Sequence, residues 1–236
     1  MNNIKPYPWL QKRAEMFSAI AESDFKHVKN VDFHFDDPDA GWVDMTIRID
    51  GEVVAELHLS GVWGSDPVAD LLRWTERCIE VPNVPHYLYH DGENPEIVFH
   101  FEELRFPPDD IDYEHYYATG IFSLFQSGVF DEKHTDGLHY IDDFLYTLCD
   151  IRDFRTNLYN AVCDFAERQK TNERAVEDWA WYIYDQKVLS RYKEDEKCDD
   201  EEDERLARKM MLKNLKSPII KRDLQDSRNY RYKDEF

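Results

Sequence analysis

The chain has 236 residues, of which 29 are Lys or Arg and 50 are Asp or Glu, so its formal net charge is −21. Hydrophobic residues make up 42% and aromatic residues 14%, which suffices for a packed core and excludes a disordered chain, a collagen-like fibre and a disulfide miniprotein. The four cysteines form no Cys-x-x-Cys pair, and neither a signal peptide nor a membrane-spanning run is evident. We therefore expect a cytoplasmic protein with no membrane partner.

The first 60 residues predict a helix, a strand and a β-hairpin. Apolar spacing indicates a helix over 9–27, and 31–36 alternates as a strand. In the hairpin at 42–60, a two-residue Asp50-Gly51 turn would oppose apolar to polar side chains. One extra loop residue, or a bulge, places the apolar side chains on one face, so we choose that register. The opposite face then carries Trp42, Asp44, Thr46 and Arg48 with Glu56 and His58.

The next segment predicts a capped helix and a second hairpin. Asp66 suits the N-cap of this helix and Pro67 its first turn. The hairpin spans 86–102, and a five-residue loop over 91–95 sets its register. That register opposes His86 to His100, puts His90 on the same face, and leaves an aromatic face for the core. That face comprises Tyr87, Tyr89, Ile97, Phe99 and Phe101.

The remaining elements complete an α+β fold. Strands are predicted over 115–129 and 138–149, and a helix capped by Asp150 over 150–169. A further helix is predicted over 173–192. We expect a mostly antiparallel sheet of hairpins packed against helices, forming one domain over 1–192.

A charged C-terminal extension over 193–236 follows the predicted domain. Residues 194–204 carry nine acids and one base, whereas residues 205–236 carry ten bases and four acids. The extension is predicted as a helix with a loose tail, or as a segment that folds back so that its basic end covers the acidic body.

The negative charge is concentrated in the first part of the chain. Residues 1–150 hold 30 acids and 10 bases, a net charge of −20, whereas residues 151–236 hold 20 acids and 19 bases. Such a body repels nucleic-acid phosphates and anionic lipid, and it attracts a basic protein. We therefore expect a basic protein partner and no nucleic acid. The predicted partner-binding residues are Asp36, Asp37, Asp39, Trp63, Asp109, Asp110 and Asp112.

The sequence contains no familiar catalytic or cofactor motif. Phosphate-binding loops, HExxH, GxSxG and kinase signatures are all missing, so we predict a non-enzyme without a cofactor. The alternative is a metal-assisted hydrolase that uses the face bearing His86 and His100, because opposed imidazoles suit Zn²⁺. An Asp44–His58 pair is also compatible with acid–base chemistry, although a cross-strand charge pair explains it equally well.

One stretch of the sequence resembles a known class of proteins. There is a general resemblance to the small acidic immunity-type proteins of bacteria in the stretch WVDMTIRIDGEVVAELHL and in the DPVADLLRW that follows it. The resemblance implies an inhibitor that occupies the substrate site of a basic toxin or nuclease. The competing interpretations are the hydrolase and a subunit of a larger assembly that docks through 193–236. For the binding protein, replacing Asp36, Asp37 and Asp39 with Asn is expected to slow association.

Overall fold

The computed structural model describes residues 8–20, 24, 27–61, 66–91, 96–104, 119–127, 141–175, 178–179 and 200–226. It has the predicted α+β architecture, in which two antiparallel sheets pack with helices around a shared core. The strands are β1 (Val31–Phe35), β2 (Trp42–Ile49), β3 (Glu52–Ser60), β4 (His86–Asp91), β5 (Glu96–Glu103), β6 (Thr119–Ser127) and β7 (Ile141–Asp150). The helices are α1 (Pro8–Ala19), α2 (Pro67–Glu80), α3 (Ile151–Gln169), α4 (Asp200–Asn214) and α5 (Pro218–Gln225).

The first hairpin combines a tight turn with a bulge. Asp50 and Gly51 have φ values of 51° and 86°, as a two-residue hairpin turn requires. Ile49 faces Glu52 across this turn, but the register shifts after Ile47, and from there to Val43 the pairs are the predicted apolar ones. The predicted bulge is therefore confirmed. It allows the two-residue turn to coexist with an apolar inner face.

The second hairpin has a different register from the predicted one. Tyr87, and not His86, faces His100, and Asp91 faces Glu96 across a shorter loop. Neighbouring side chains along a strand point to opposite faces, so this shift places His86 and His100 on opposite sides of the sheet. The predicted aromatic face is therefore wrong for Tyr87 and Tyr89.

Capping side chains set the start of two helices as predicted. The Asp66 carboxylate accepts from the Ala69 backbone N–H at the start of α2, where Pro67 occupies the first turn. The Asp150 carboxylate accepts from the backbone N–H groups of Arg152 and Asp153 at the start of α3. Helix α1 ends well short of residue 27, because Ser and Asp favour turns, and the Asp24 carbonyl instead accepts from His27 N at 2.9 Å.

The core lies between the inner faces of the two sheets. Phe154 of α3 is central, with its ring 5.3 Å from Phe33, 4.6 Å from Phe101 and 5.3 Å from Phe122. Gly120 is required in β6 because a Cβ there would lie 2.6 Å from the ring of Phe101. The chain just before β1 also contacts the second sheet, since Lys29 N donates to the Leu148 carbonyl within β7.

The described part of the C-terminal segment, 200–226, packs into this core. Ala207, Met211, Leu215 and Ile220 are buried in the same cluster as the sheet residues. Arg155 of α3, almost fully buried, bonds Glu103 of β5 and lies 3.3 Å from Asp223 of α5. The helix predicted for the extension is present, and its inner side is covered. No helix in the described ranges is both long and apolar enough to cross a membrane.

Candidate partner-binding surface

The three-stranded sheet presents one face to solvent. Alternation along its strands points the apolar side chains at the core and the polar ones outward. We name the outward side, with the loop that follows β1, the acidic face. It comprises Asp32, His34, Asp36, Asp37, Asp39, Asp44, Thr46, Arg48, Glu56 and His58.

Strand register aligns these side chains in rows across the sheet. His34 faces Thr46, which in turn faces Glu56. The neighbouring row contains Asp44 and His58, which face each other on β2 and β3. Adjacent strands lie about 4.8 Å apart, so three strands present these groups within about 10 Å. The face predicted from the first hairpin is therefore confirmed, and β1 extends it.

Two acidic residues on this face, Asp36 and Asp44, occupy facing positions on neighbouring segments. Asp36 follows β1 directly, and its backbone N donates to Asp44 O at 2.9 Å. Like charges at facing positions repel. Each carboxylate has a histidine beside it: Asp44 Oδ1 lies 2.6 Å from His58 Nδ1, and Asp36 Oδ1 lies 3.3 Å from His34 Nε2. All four side chains are about half exposed or more, so an incoming cation can reach both carboxylates.

The loop at 36–39 is held in place by the end of α3. Asp37 Oδ1 accepts hydrogen bonds from Arg168 Nε and Gln169 Nε2, each at 3.0 Å. Asp37 therefore positions the loop. Asp39 pairs with Trp42 through two backbone hydrogen bonds of 2.9 Å, and its side chain remains exposed.

The turn between Asp39 and Trp42 is strained. Ala40 has a φ of 49°, which a residue with a Cβ seldom adopts. The following Gly41 is fixed from both sides, because its N–H donates to Asp178 O and its carbonyl accepts from Gly61 N. These contacts keep Asp39 at the rim of the acidic face.

The structure brings together only part of the predicted site. Asp36, Asp37 and Asp39 border the acidic face, whereas Trp63, Asp109, Asp110 and Asp112 lie outside the described residues. The predicted register of the second hairpin is wrong, so His86 and His100, the ligand pair of the hydrolase alternative, lie on opposite faces of their sheet. Among the described residues, no group of three or more His, Cys, Asp or Glu is placed to hold a metal ion.

Sequence reasoning missed two features of this surface. It did not assign Asp32 and His34 to the face, although the alternation in VDFHFD carries that signal. It also missed the anchoring of Asp37 by Arg168, because the two residues are 131 positions apart and no local pattern links them.

Comparison with known proteins does not assign the chain to a family. No protein-family model matches it, and comparisons with curated proteins and with solved structures return no match.

Proposed function

We propose that this protein is a non-catalytic binding protein that engages a basic protein through its acidic face. The carboxylates of Asp36 and Asp44, which occupy facing positions, support the proposal most directly. An ammonium or guanidinium group that binds between them is attracted by both carboxylates, whose side chains are more than half exposed.

Rigidity of the platform also supports this function. The acidic side chains project from paired strands whose inner faces are buried, and Asp37 ties the adjoining loop to α3. A surface that is already ordered loses little conformational entropy on binding. The surrounding negative charge adds long-range attraction, which increases the association rate at low ionic strength.

Within this class we favour an inhibitor of the immunity type. A basic toxin or nuclease has a cationic substrate site, and carboxylates fixed on a sheet can occupy it in place of phosphates. The hydrolase alternative loses its geometric basis, since His86 and His100 lie on opposite faces of their sheet. Nucleic acid is disfavoured as a partner, because phosphates are repelled by this surface.

A binding experiment with a defined cation tests the acidic face. The probe is an octalysine peptide, and the protein carries Asp36→Asn and Asp39→Asn. We expect the association rate at low salt to fall severalfold, because the two substitutions remove charge from the surface that steers the probe. Asp37 is left intact so that the loop keeps its anchor.

A control variant with the same loss of charge distinguishes an effect of the acidic face from an effect of the net charge of the protein. Glu80→Gln with Asp153→Asn removes the same charge from exposed positions on α2 and α3. This control is expected to change the rate far less. Zero-length carbodiimide cross-linking should join the peptide to Asp36, Asp39, Asp44 or Glu56. Equal loss of rate in both variants, with cross-links spread over the whole molecule, would refute the assignment.

A further inference from the structure

Helix α1 covers part of the outer face of the four-stranded sheet, on which Tyr89 and Tyr146 remain exposed. Met16 is buried there and packs with Leu104, Ile121 and Leu148, which form a small apolar cluster separate from the main core. Helix α1 is thus a strap laid across a sheet face that would otherwise contact water.

One ion pair fastens the strap to the sheet. Arg13 of α1 donates to both oxygens of Glu102 on β5, with distances of 2.9 Å from Nε to Oε2 and 2.8 Å from Nη2 to Oε1. The guanidinium also lies 4.5 Å above the ring of Phe17. This bidentate contact is a strong charge-assisted one, so α1 docking depends on the Glu102 carboxylate.

His100 is sealed beneath the strap and next to this ion pair. Its side chain is fully buried, and its Nδ1 lies 3.2 Å from Ser123 Oγ. Ser123 donates its single hydroxyl hydrogen to Met16 Sδ at 3.2 Å. On this basis we assign the ring proton of His100 to Nδ1, because the hydroxyl oxygen is then left to accept from it.

This tautomer leaves His100 Nε2 with an unused lone pair. Within the described ranges Nε2 has no hydrogen-bond partner, and it lies 3.4 Å from Glu102 Oε2. A lone pair and a carboxylate oxygen repel each other, whereas a proton on Nε2 would turn the contact into a hydrogen bond. A proton bound at Nε2 would therefore point toward the Glu102 carboxylate that holds Arg13.

We propose that His100 is a proton-operated latch for α1. A proton taken from solvent binds Nε2, and the new N–H donates to Glu102 Oε2. The imidazolium competes with Arg13 for this oxygen and adds a positive charge beside the guanidinium. The ion pair that fastens α1 is thereby weakened, and the strap leaves the apolar cluster. This latch is independent of the acidic face.

The groups around His100 determine the direction of the pH effect. Burial lowers the pKa of His100, and the positive charges of Arg13 and His86 act in the same sense, against the raising effect of Glu102. The ring of Tyr87 from β4 stacks on the imidazole at 4.9 Å and limits access of water. Because the folded-state pKa lies below the unfolded value of about 6.5, docking is stable above that pH and is lost as pH falls through the folded-state pKa.

Amide hydrogen exchange of the full chain tests the latch. After correction for intrinsic exchange rates, protection of the α1 amides should fall severalfold between pH 7.5 and pH 5, because docking is linked to the uptake of one proton. Protection of α3 should persist. His100→Gln keeps a polar side chain that cannot titrate, so its α1 protection should not vary with pH. The control His58→Gln, on the acidic face, should behave like the wild type.

A second measurement, made on the wild-type protein, tests the proposal even if His100→Gln does not fold. In the wild-type protein, the imidazole resonance of His100 and the methyl resonance of Met16 should titrate with the same midpoint in NMR spectra. Unchanged α1 protection down to pH 5, or an equal fall in His100→Gln, would overturn the proposal. Titration of His100 without any change at Met16 would overturn it as well.

Discussion

The two sheets of this protein carry a histidine–carboxylate pair on their outer faces in opposite surroundings. On the three-stranded sheet, His58 and Asp44 lie 2.6 Å apart with side chains that are 74% and 53% exposed. On the four-stranded sheet, His100 and Glu102 lie 3.4 Å apart, and their exposed fractions are 0% and 12%. The closer pair is thus the one that water screens.

The comparison shows that distance alone does not rank these contacts. An exposed ion pair contributes little to stability, because water and salt screen it and two flexible side chains must be ordered. A buried pair makes a large difference when one partner is removed, because the remaining charge is left without solvent. The exposed pair is therefore free to serve a partner, whereas the covered pair governs the attachment of α1.

The largest predicted effect comes from breaking each pair at its carboxylate. Glu102→Ala is expected to destabilise the fold by about 3 kcal/mol, since it leaves the partly buried Arg13 guanidinium without its carboxylate. Asp44→Ala should lower stability by no more than about 0.5 kcal/mol. Urea unfolding at pH 7.5 measures both. Equal losses in the two variants would mean that α1 does not shield the second pair from solvent.

The buried carboxylate of Asp66 can be compared with that of Glu102. Asp66 is fully buried, and its Oδ2 has no hydrogen-bond partner in the described part of the chain. Desolvation by burial raises its pKa to about 6, with Asp70 adding to the effect and the Ala69 N–H opposing it. For Glu102, desolvation by burial raises the pKa, but the hydrogen bonds and the positive charge of Arg13 act against it, and the pKa is lowered.

Asp66→Asn should therefore stabilise the protein at neutral pH. Asn retains the N-cap hydrogen bond to Ala69 but has no charge to desolvate. The stability that Asp66 contributes is fully present below about pH 3.8 and is lost as pH rises through about 6. The variant should exceed the wild type by about 2 kcal/mol at pH 7.5 and match it near pH 4. A constant difference across this range, in thermal unfolding, would contradict the assigned titration.

The two hairpins show how far the sequence could predict this fold. In the first hairpin one face is buried and the other exposed, so a slip by one residue would expose apolar side chains, and the register could be predicted. In the second, Val98 and His100 are as buried as Phe99 and Phe101, because this part of the outer face is covered as well, at His100 by the ring of Tyr87. Burial on both faces removes the alternation that defines register. Helices α2 and α3 were predictable because their caps are local signals.

The candidate site, too, could be predicted only where a local sequence pattern links its residues. Asp44 and His58 were found because strand alternation placed them together. The contact between Arg13 and Glu102 spans 89 positions and has no local signature. Its existence depends on where α1 docks, which only the assembled fold determines.

The smallest predicted effect concerns the turn that shapes the acidic face. Gly51→Ala places a Cβ in open space but at a φ of 86°, so we expect a loss of about 1 kcal/mol from backbone strain alone. Asp50→Asn is the matched control, because Asn tolerates the neighbouring left-handed position and should change stability less. In both variants, NMR contacts between Asp44 and His58 should persist, since the buried pairs Val43–Leu59 and Met45–Leu57 fix the register beyond the bulge. Loss of those contacts in Gly51→Ala would show that the turn, and not the apolar inner face, aligns the acidic face.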